Sequence, residues 1–102
     1  PDLPHPVAGA ASPAPVTGDG RLLVLAGDDG TRLHLNGPHH PGFQREILAY
    51  DPALCAWSVV GEAPFSRATV PTAFWRGQWI VPSGERIPGV RSPEVWALGV
   101  EP

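Results

Sequence analysis

The sequence of 102 residues contains no lysine, no methionine and a single cysteine. All seven basic residues are arginines spread along the chain, and the formal net charge is −3 at pH 7. Because domains that bind nucleic acid carry a basic surface, this balance argues against such a partner. One cysteine, Cys55, excludes an intramolecular disulfide bond, and no Cys/His spacing resembles a zinc site. Cys55 lies in an apolar segment beside Trp57, and we expect its side chain to be buried.

Long apolar segments are also missing. No run of apolar residues reaches the length that crosses a membrane. The first residues do not show the charged region followed by an apolar region that marks a signal peptide. We therefore expect no membrane partner and no signal peptide in this sequence. The compartment stays undetermined, since the bacterial periplasm and the cytoplasm both fit.

Glycine and proline are abundant, with 12 and 14 residues respectively. Leu, Ile, Val and Phe still make up about a quarter of the chain, which is more than disordered chains carry, so the glycines and prolines indicate frequent turns. Seven short extended segments lie between these turns, and none has a helical period. The pattern predicts an all-β fold. The expected strands lie near residues 12–16, 21–26, 46–50, 56–60, 67–74, 78–82 and 94–98.

An internal repeat organises these segments. When Gly27 is placed on Gly84, the apolar residues before them also correspond, and Asp28 falls on Glu85. After a loop that is longer in the first copy, the segment at 47–50 corresponds to the segment at 95–98. The order of strands and turns favours a four-stranded antiparallel meander in each copy. Such a meander is one blade of a β-propeller.

Short motifs within the repeat resemble the kelch motif. The run Tyr-Asp-Pro at 50–52 is followed by Trp57 and by Gly-Glu at 61–62, in the order of a kelch unit. Gly27-Asp28 and Gly84-Glu85 replace the double glycine of most kelch repeats. This departure points to a narrower group of kelch propellers.

That narrower group is the sialic acid mutarotase family, also called N-acetylneuraminate epimerases, which includes the cyclically permuted mutarotases. The resemblance covers most of residues 3 to 98 and is carried by the segments at 40–50, 82–85 and 88–91. It implies a six-bladed propeller, of which residues 1–102 would form about two four-stranded blades within a single domain. The first kelch unit would span residues 3–62, and the second, without its last strand, residues 63–102. We therefore expect the remaining propeller blades of a longer chain as its structural partner.

The segment at 83–91 is the most specific part of the resemblance. We expect it to be a compact loop that presents Glu85 and Arg91 at one edge of a sheet, with Pro88 and Gly89 between them. By resemblance Glu85 is the catalytic acid/base, and Arg91 binds substrate or stabilises charge. One carboxyl group can take and return a proton during ring opening, and a guanidinium can hold a substrate carboxylate. The plainer interpretation is a surface ion pair across a turn.

Three further residues are candidates for substrate binding. Asp28 is the first copy's counterpart of the catalytic glutamate, although an Asp here also stabilises turns through its side chain. Arg45 either faces the pocket or forms an ion pair near its own strand. His40 lies with His39 in a long loop, where an unpaired histidine is more often solvated. For Arg67 we expect a structural role.

The resemblance to the mutarotase family implies that the intact protein is an isomerase. It would interconvert the α- and β-anomers of N-acetylneuraminate (sialic acid) by acid/base ring opening. Its ligand would be a small-molecule sugar acid, and the chemistry needs neither a metal nor an organic cofactor. The alternative is a non-catalytic kelch module that binds protein or glycan, because a fold does not determine a function. Only the enzyme needs Glu85 and Arg91 to converge within reach of one ligand.

Overall fold

The computed structural model describes residues 1–32, 35 and 40–99. Within them the fold is all-β, as predicted, with antiparallel sheets and no helix. No membrane-spanning helix is therefore found in these residues. The described residues form the strands β1 (Leu22–Val24), β2 (Glu46–Asp51), β3 (Ala56–Glu62), β4 (Ala73–Trp75), β5 (Gln78–Pro82), β6 (Glu85–Ile87), β7 (Val90–Arg91) and β8 (Val95–Gly99).

The first sheet has the strand order β1-β2-β3. β2 and β3 form the hairpin that the Asp-Pro turn predicts. The Asp51 carboxylate accepts hydrogen bonds from the backbone N–H groups of Ala53 (2.9 Å) and Leu54 (3.3 Å). An aspartate that binds the backbone of its own turn stabilises the reversal of the chain.

Cys55 ends this turn, and the prediction that its side chain is buried is wrong. The residue is exposed, and its backbone has a φ of 51°. The apolar neighbours that suggested burial belong to β3, most of whose residues are exposed. Turn geometry, rather than the polarity of nearby residues, decides where this thiol lies.

The second sheet has the order β4-β5-β8. Arg76 and Gly77 join β4 to β5, and both have a positive φ, of 50° and 79°. A two-residue turn with positive φ at both positions is typical of type I′, whose twist suits a tight hairpin. β8 then pairs along the whole of β5, from Gln78 with Gly99 to Pro82 with Val95.

The two sheets repeat one pairing register. The pairs between β1 and β2 are Leu22↔Tyr50, Leu23↔Ala49 and Val24↔Leu48. The pairs at the corresponding positions of β5 and β8 are Trp79↔Leu98, Ile80↔Ala97 and Val81↔Trp96. The repeat seen in the sequence is therefore also a repeat of backbone pairing.

The innermost strand of each expected four-stranded unit is shorter than the sequence predicts. In the segment at 12–16, only Val16 forms a bridge to β1, because the two prolines of this segment have no N–H group to donate. In the segment at 67–74, β4 begins at Ala73. Within the described residues the first sheet therefore has three strands rather than four, and the second has the three expected of a unit without its last strand.

One apolar cluster connects the two sheets. Leu23 and Ala49 of the first sheet and Val81 of the second belong to it, and Trp96 packs against it from β8. Leu25, which follows β1, and Val70, which precedes β4, also belong to the cluster. Because both repeats contribute to one core, the position of each sheet depends on the other.

Candidate functional site

The segment at 83–91, expected to be a loop, contains a short β-hairpin. β6 and β7 pair antiparallel, Glu85 is the partner of Arg91, and Ile87 is the partner of Val90. Gly89, at the turn, has a φ of 77°, which glycine adopts without steric cost. The pairing fixes Glu85 and Arg91 as cross-strand neighbours.

Backbone contacts hold the base of this hairpin against the innermost segment. Glu85 and Ala68 exchange two backbone hydrogen bonds, of 2.9 and 3.0 Å. Gly84, immediately before, has a φ of 93°, and a Cβ atom on it would lie 2.8 Å from Cβ of Val70. Real Cβ contacts are longer than this, so the close approach requires glycine. The backbone at Glu85 is therefore fixed from both sides.

The Glu85 and Arg91 side chains converge. A guanidinium nitrogen of Arg91 lies 3.9 Å from a carboxylate oxygen of Glu85, whose other oxygen accepts a hydrogen bond of 3.4 Å from the Gly89 N–H. The Glu85 side chain is 24% exposed and that of Arg91 is 62% exposed. An ion pair this open contributes little to folding stability. The pair leaves the Glu85 carboxylate partly accessible.

Asp28 meets Glu85 in one cleft, which we call the acidic cleft. Its volume is about 330 Å³, and its walls are Ala8, Gly9, Asp28, Phe43, Ala68, Thr69, Glu85 and Pro88. Asp28 exchanges two backbone hydrogen bonds of 2.8 Å with Ala8, as Glu85 does with Ala68. Its carboxylate also accepts a hydrogen bond of 3.0 Å from the Gly30 N–H. Asp28 therefore both stabilises its turn and lines the cleft.

Arg45 and His40 line a different cleft, of about 320 Å³, which we call the arginine cleft. His40 is 6% exposed, its Nδ1 accepts a hydrogen bond of 2.9 Å from the Gly42 N–H, and its ring packs on Phe43. This histidine is not the solvated loop residue of the plainer interpretation. The Arg45 side chain is exposed. His39 lies outside the described residues. The structure thus divides the predicted site residues between two clefts.

Arg86 is a residue to which the sequence analysis assigned no role, and it also lines the arginine cleft. Its neighbour Glu85 lines the acidic cleft instead, and the register between β6 and β7 shifts between Glu85 and Ile87. The signal that identifies Arg86 is its place on β6, directly after the candidate acid/base. The position of Arg86 is informative only when residues 85–87 are known to form a strand.

The Arg67 side chain connects separate segments of the second repeat beside the arginine cleft, in agreement with the structural role predicted for it. Its side chain is 4% exposed and donates to the carbonyl oxygens of Ser66 (2.7 Å) and Ser83 (3.1 Å). Its Nη2 donates to Oγ of Ser92 (2.9 Å) and to a carboxylate oxygen of Glu94 (2.6 Å). The bond from Arg67 lowers the pKa of Glu94 below its ordinary value. Arg67 is therefore occupied by protein partners.

A third, wider cleft of about 550 Å³ lies beside Asp29, Arg45 and Glu62. Hydrogen bonds from the Thr31 hydroxyl (2.7 Å) and the Thr31 N–H (2.9 Å) lower the pKa of Asp29. In the described part of the chain, no group of three or more His, Cys, Asp or Glu side chains is arranged to hold a metal ion.

The chain resembles a solved structure described as "Structure of YjhT". The likeness covers 98% of this chain with a TM-score of 0.68 and a sequence identity of 22%. This chain spans 30% of the length of that one. At this identity the likeness concerns the fold alone. No family model matches the sequence, and no curated protein matches it.

Proposed function

We propose that the chain forms about two blades of a β-propeller whose intact form interconverts the anomers of N-acetylneuraminate. The observation that carries the proposal is the convergence of Arg91 with Glu85, which lines the acidic cleft together with Asp28. A non-catalytic kelch module would not need these two side chains to meet. The resemblance of residues 83–91 to the mutarotase family supplies the substrate.

The propeller part of the proposal is supported by the repeated pairing register of the two sheets. It is also supported by the likeness of this chain to less than a third of a longer one. β8 pairs with β5 on one side, and no strand pairs with its other edge among the described residues. In the first sheet the corresponding edge of β2 is covered by β3. Further strands of the propeller would pair at this edge and complete the blade.

The proposed reaction uses one carboxylate twice. Glu85 removes the proton from the anomeric hydroxyl group, the bond between the anomeric carbon and the ring oxygen breaks, and the protonated Glu85 carboxyl group returns that proton to the ring oxygen. The open-chain keto form rotates about the bond next to the carbonyl, and the reverse steps close the ring on the other face. Arg91, whose guanidinium is 3.9 Å from the Glu85 carboxylate, would stabilise the charge that moves between the two oxygens.

The test is a time course of anomer exchange followed by NMR. The full polypeptide that carries this sequence is mixed with freshly released α-N-acetylneuraminate, and the appearance of the β-anomer is recorded. We expect exchange faster than in buffer, and a loss of about 10²- to 10⁴-fold in the Glu85→Gln variant, as for other general acid–base groups. Arg91→Ala should also be slower.

Glu62→Gln is the matched control, because Glu62 is an exposed glutamate on β3 that does not line the acidic cleft. It should keep the full rate. Exchange at the buffer rate by a folded protein would refute the proposed activity and favour a binding module. A Glu85→Gln variant as fast as the unchanged protein would refute the role of Glu85.

A further inference from the structure

The arginine cleft carries a positive charge that the proposed reaction does not use. Three arginines line it: Arg45, Arg67 and Arg86. Arg67 is neutralised by Glu94, at 2.6 Å. No acidic group lies within 4.0 Å of the Arg45 or Arg86 guanidinium in the part of the chain that the structure describes. Two positive charges at the cleft are therefore left without a protein counterion there.

The backbone around the cleft is held in place although the Arg45 and Arg86 side chains are exposed. Arg86 belongs to β6, and its carbonyl oxygen accepts a hydrogen bond of 3.2 Å from the buried Ser66 hydroxyl. Arg45 directly precedes β2, and its carbonyl oxygen accepts a bond of 2.7 Å from the Ala63 N–H. Phe65 and Ile87 add apolar walls. Two arginines at fixed backbone positions thus line one partly apolar cleft.

We propose that the arginine cleft binds the carboxylate group of a small organic acid between Arg45 and Arg86. A guanidinium is planar and matches a carboxylate with two parallel hydrogen bonds. The carboxylate of Glu94 also lines the cleft, so a singly charged anion fits its charge better than a phosphate dianion. Carboxylate binding at the arginine cleft goes beyond the proposed function. Only the identification of the acid as a sugar acid rests on the proposed function.

The arginine cleft is separate from the acidic cleft. Glu85 and Arg86 are adjacent on β6, but they line different clefts. The acidic cleft contains Asp28 and Glu85, whose charges do not favour an anion, and Arg91 is already engaged by Glu85. In N-acetylneuraminate the carboxylate is bonded to the anomeric carbon, so a molecule held by Arg45 and Arg86 is bound at a position separate from the one where Glu85 would act.

The experiment is a binding titration with N-acetylneuraminate and with its methyl ester, followed by calorimetry. The full polypeptide is compared with the variants Arg45→Gln and Arg86→Gln. Arg76→Gln is the control, since Arg76 is an exposed arginine on the turn between β4 and β5 and lines neither cleft. We expect each cleft variant to raise the Kd about tenfold, as the loss of a charged hydrogen bond does. The control should bind as the unchanged protein does, and the ester, which has no carboxylate, should bind weakly to all.

Equal affinity for the acid and its ester would overturn the inference, and so would equal affinity of the cleft variants and the control. The two proposals fail separately. Carboxylate binding that depends on Arg45 and Arg86, in a protein without anomer exchange, refutes only the proposed function. Anomer exchange that is fast while both arginine variants keep the original Kd refutes only the arginine cleft.

Discussion

Replacing Gly84 by alanine tests whether the close approach before Glu85 holds the hairpin in place. Two costs arise from the structure. At a φ of 93°, a residue with a Cβ atom loses about 1–2 kcal/mol relative to glycine. The new Cβ would also lie 2.8 Å from Cβ and 3.0 Å from Cγ2 of Val70, and forcing a methyl group into packed structure costs about 1–3 kcal/mol. We expect Gly84→Ala to lower the free energy of unfolding by about 3 kcal/mol.

Gly89→Ala is the matched control in the same hairpin. Its φ is 77°, but no heavy atom lies within 4 Å of the Cβ position, so only the backbone cost of about 1 kcal/mol applies. Gly27→Ala is the corresponding change in the first repeat. Its Cβ would lie 2.7 Å from Cγ1 of Val7 and 2.9 Å from the Ala8 carbonyl oxygen, so its effect should match that of Gly84→Ala.

The assay is equilibrium unfolding in urea, with the midpoint and the slope measured for all three variants. If Gly84→Ala and Gly89→Ala destabilise the protein equally, the contact with Val70 contributes nothing, and our account of how Glu85 is positioned is wrong. If Gly27→Ala lowers the free energy of unfolding far less than Gly84→Ala does, the two copies of the repeat are packed differently around this glycine.

Two further predictions concern Arg67 and its partner. Arg67→Met leaves the carbonyl oxygen of Ser83 and the Glu94 carboxylate without their donor. We expect the free energy of unfolding measured in urea to fall by about 3 kcal/mol. Arg21→Met removes a more open ion pair and should lower it by less than about 1 kcal/mol. The second concerns pH. The pKa of Glu94 is lower in the folded than in the unfolded protein, so its contribution is fully present above the unfolded pKa of about 4.3 and is lost as the pH falls through the lower folded value. The urea midpoint of Glu94→Gln should therefore change less than that of the unchanged protein as the pH falls below about 4, and an identical pH dependence in both proteins would contradict this.

The strands around the Asp-Pro turn were predictable because local chemistry decides them. The Asp51 carboxylate binds the backbone N–H groups of its own turn, and the apolar run of β2 follows from the need to bury Leu48 and Ala49. The pairing of β5 with β8 was also predictable from the sequence, because the corresponding segments of the two copies pair in the same register.

The sequence did not predict that β6 and β7 form a hairpin. Its strands are three and two residues long, too short for an alternating pattern to appear. The side of β6 on which each side chain lies follows from the bridge between Glu85 and Ala68, which are far apart in the sequence. For this reason the sequence indicated Glu85 and Arg91 but not Arg86.

The sequence by itself determined the all-β class, the repeat, the turns and the pair Glu85–Arg91, because turn residues and short-range pairing are local properties of the chain. Tertiary structure decided which side chains share a cleft. Asp28 joins Glu85 only because the backbone at Asp28 pairs with Ala8 and the backbone at Glu85 pairs with Ala68. His40 and Arg45 join Arg86 only because the two repeats pack on one core. Which residues line the same cleft depends on contacts between segments that are far apart in the sequence, and local sequence patterns do not indicate such contacts.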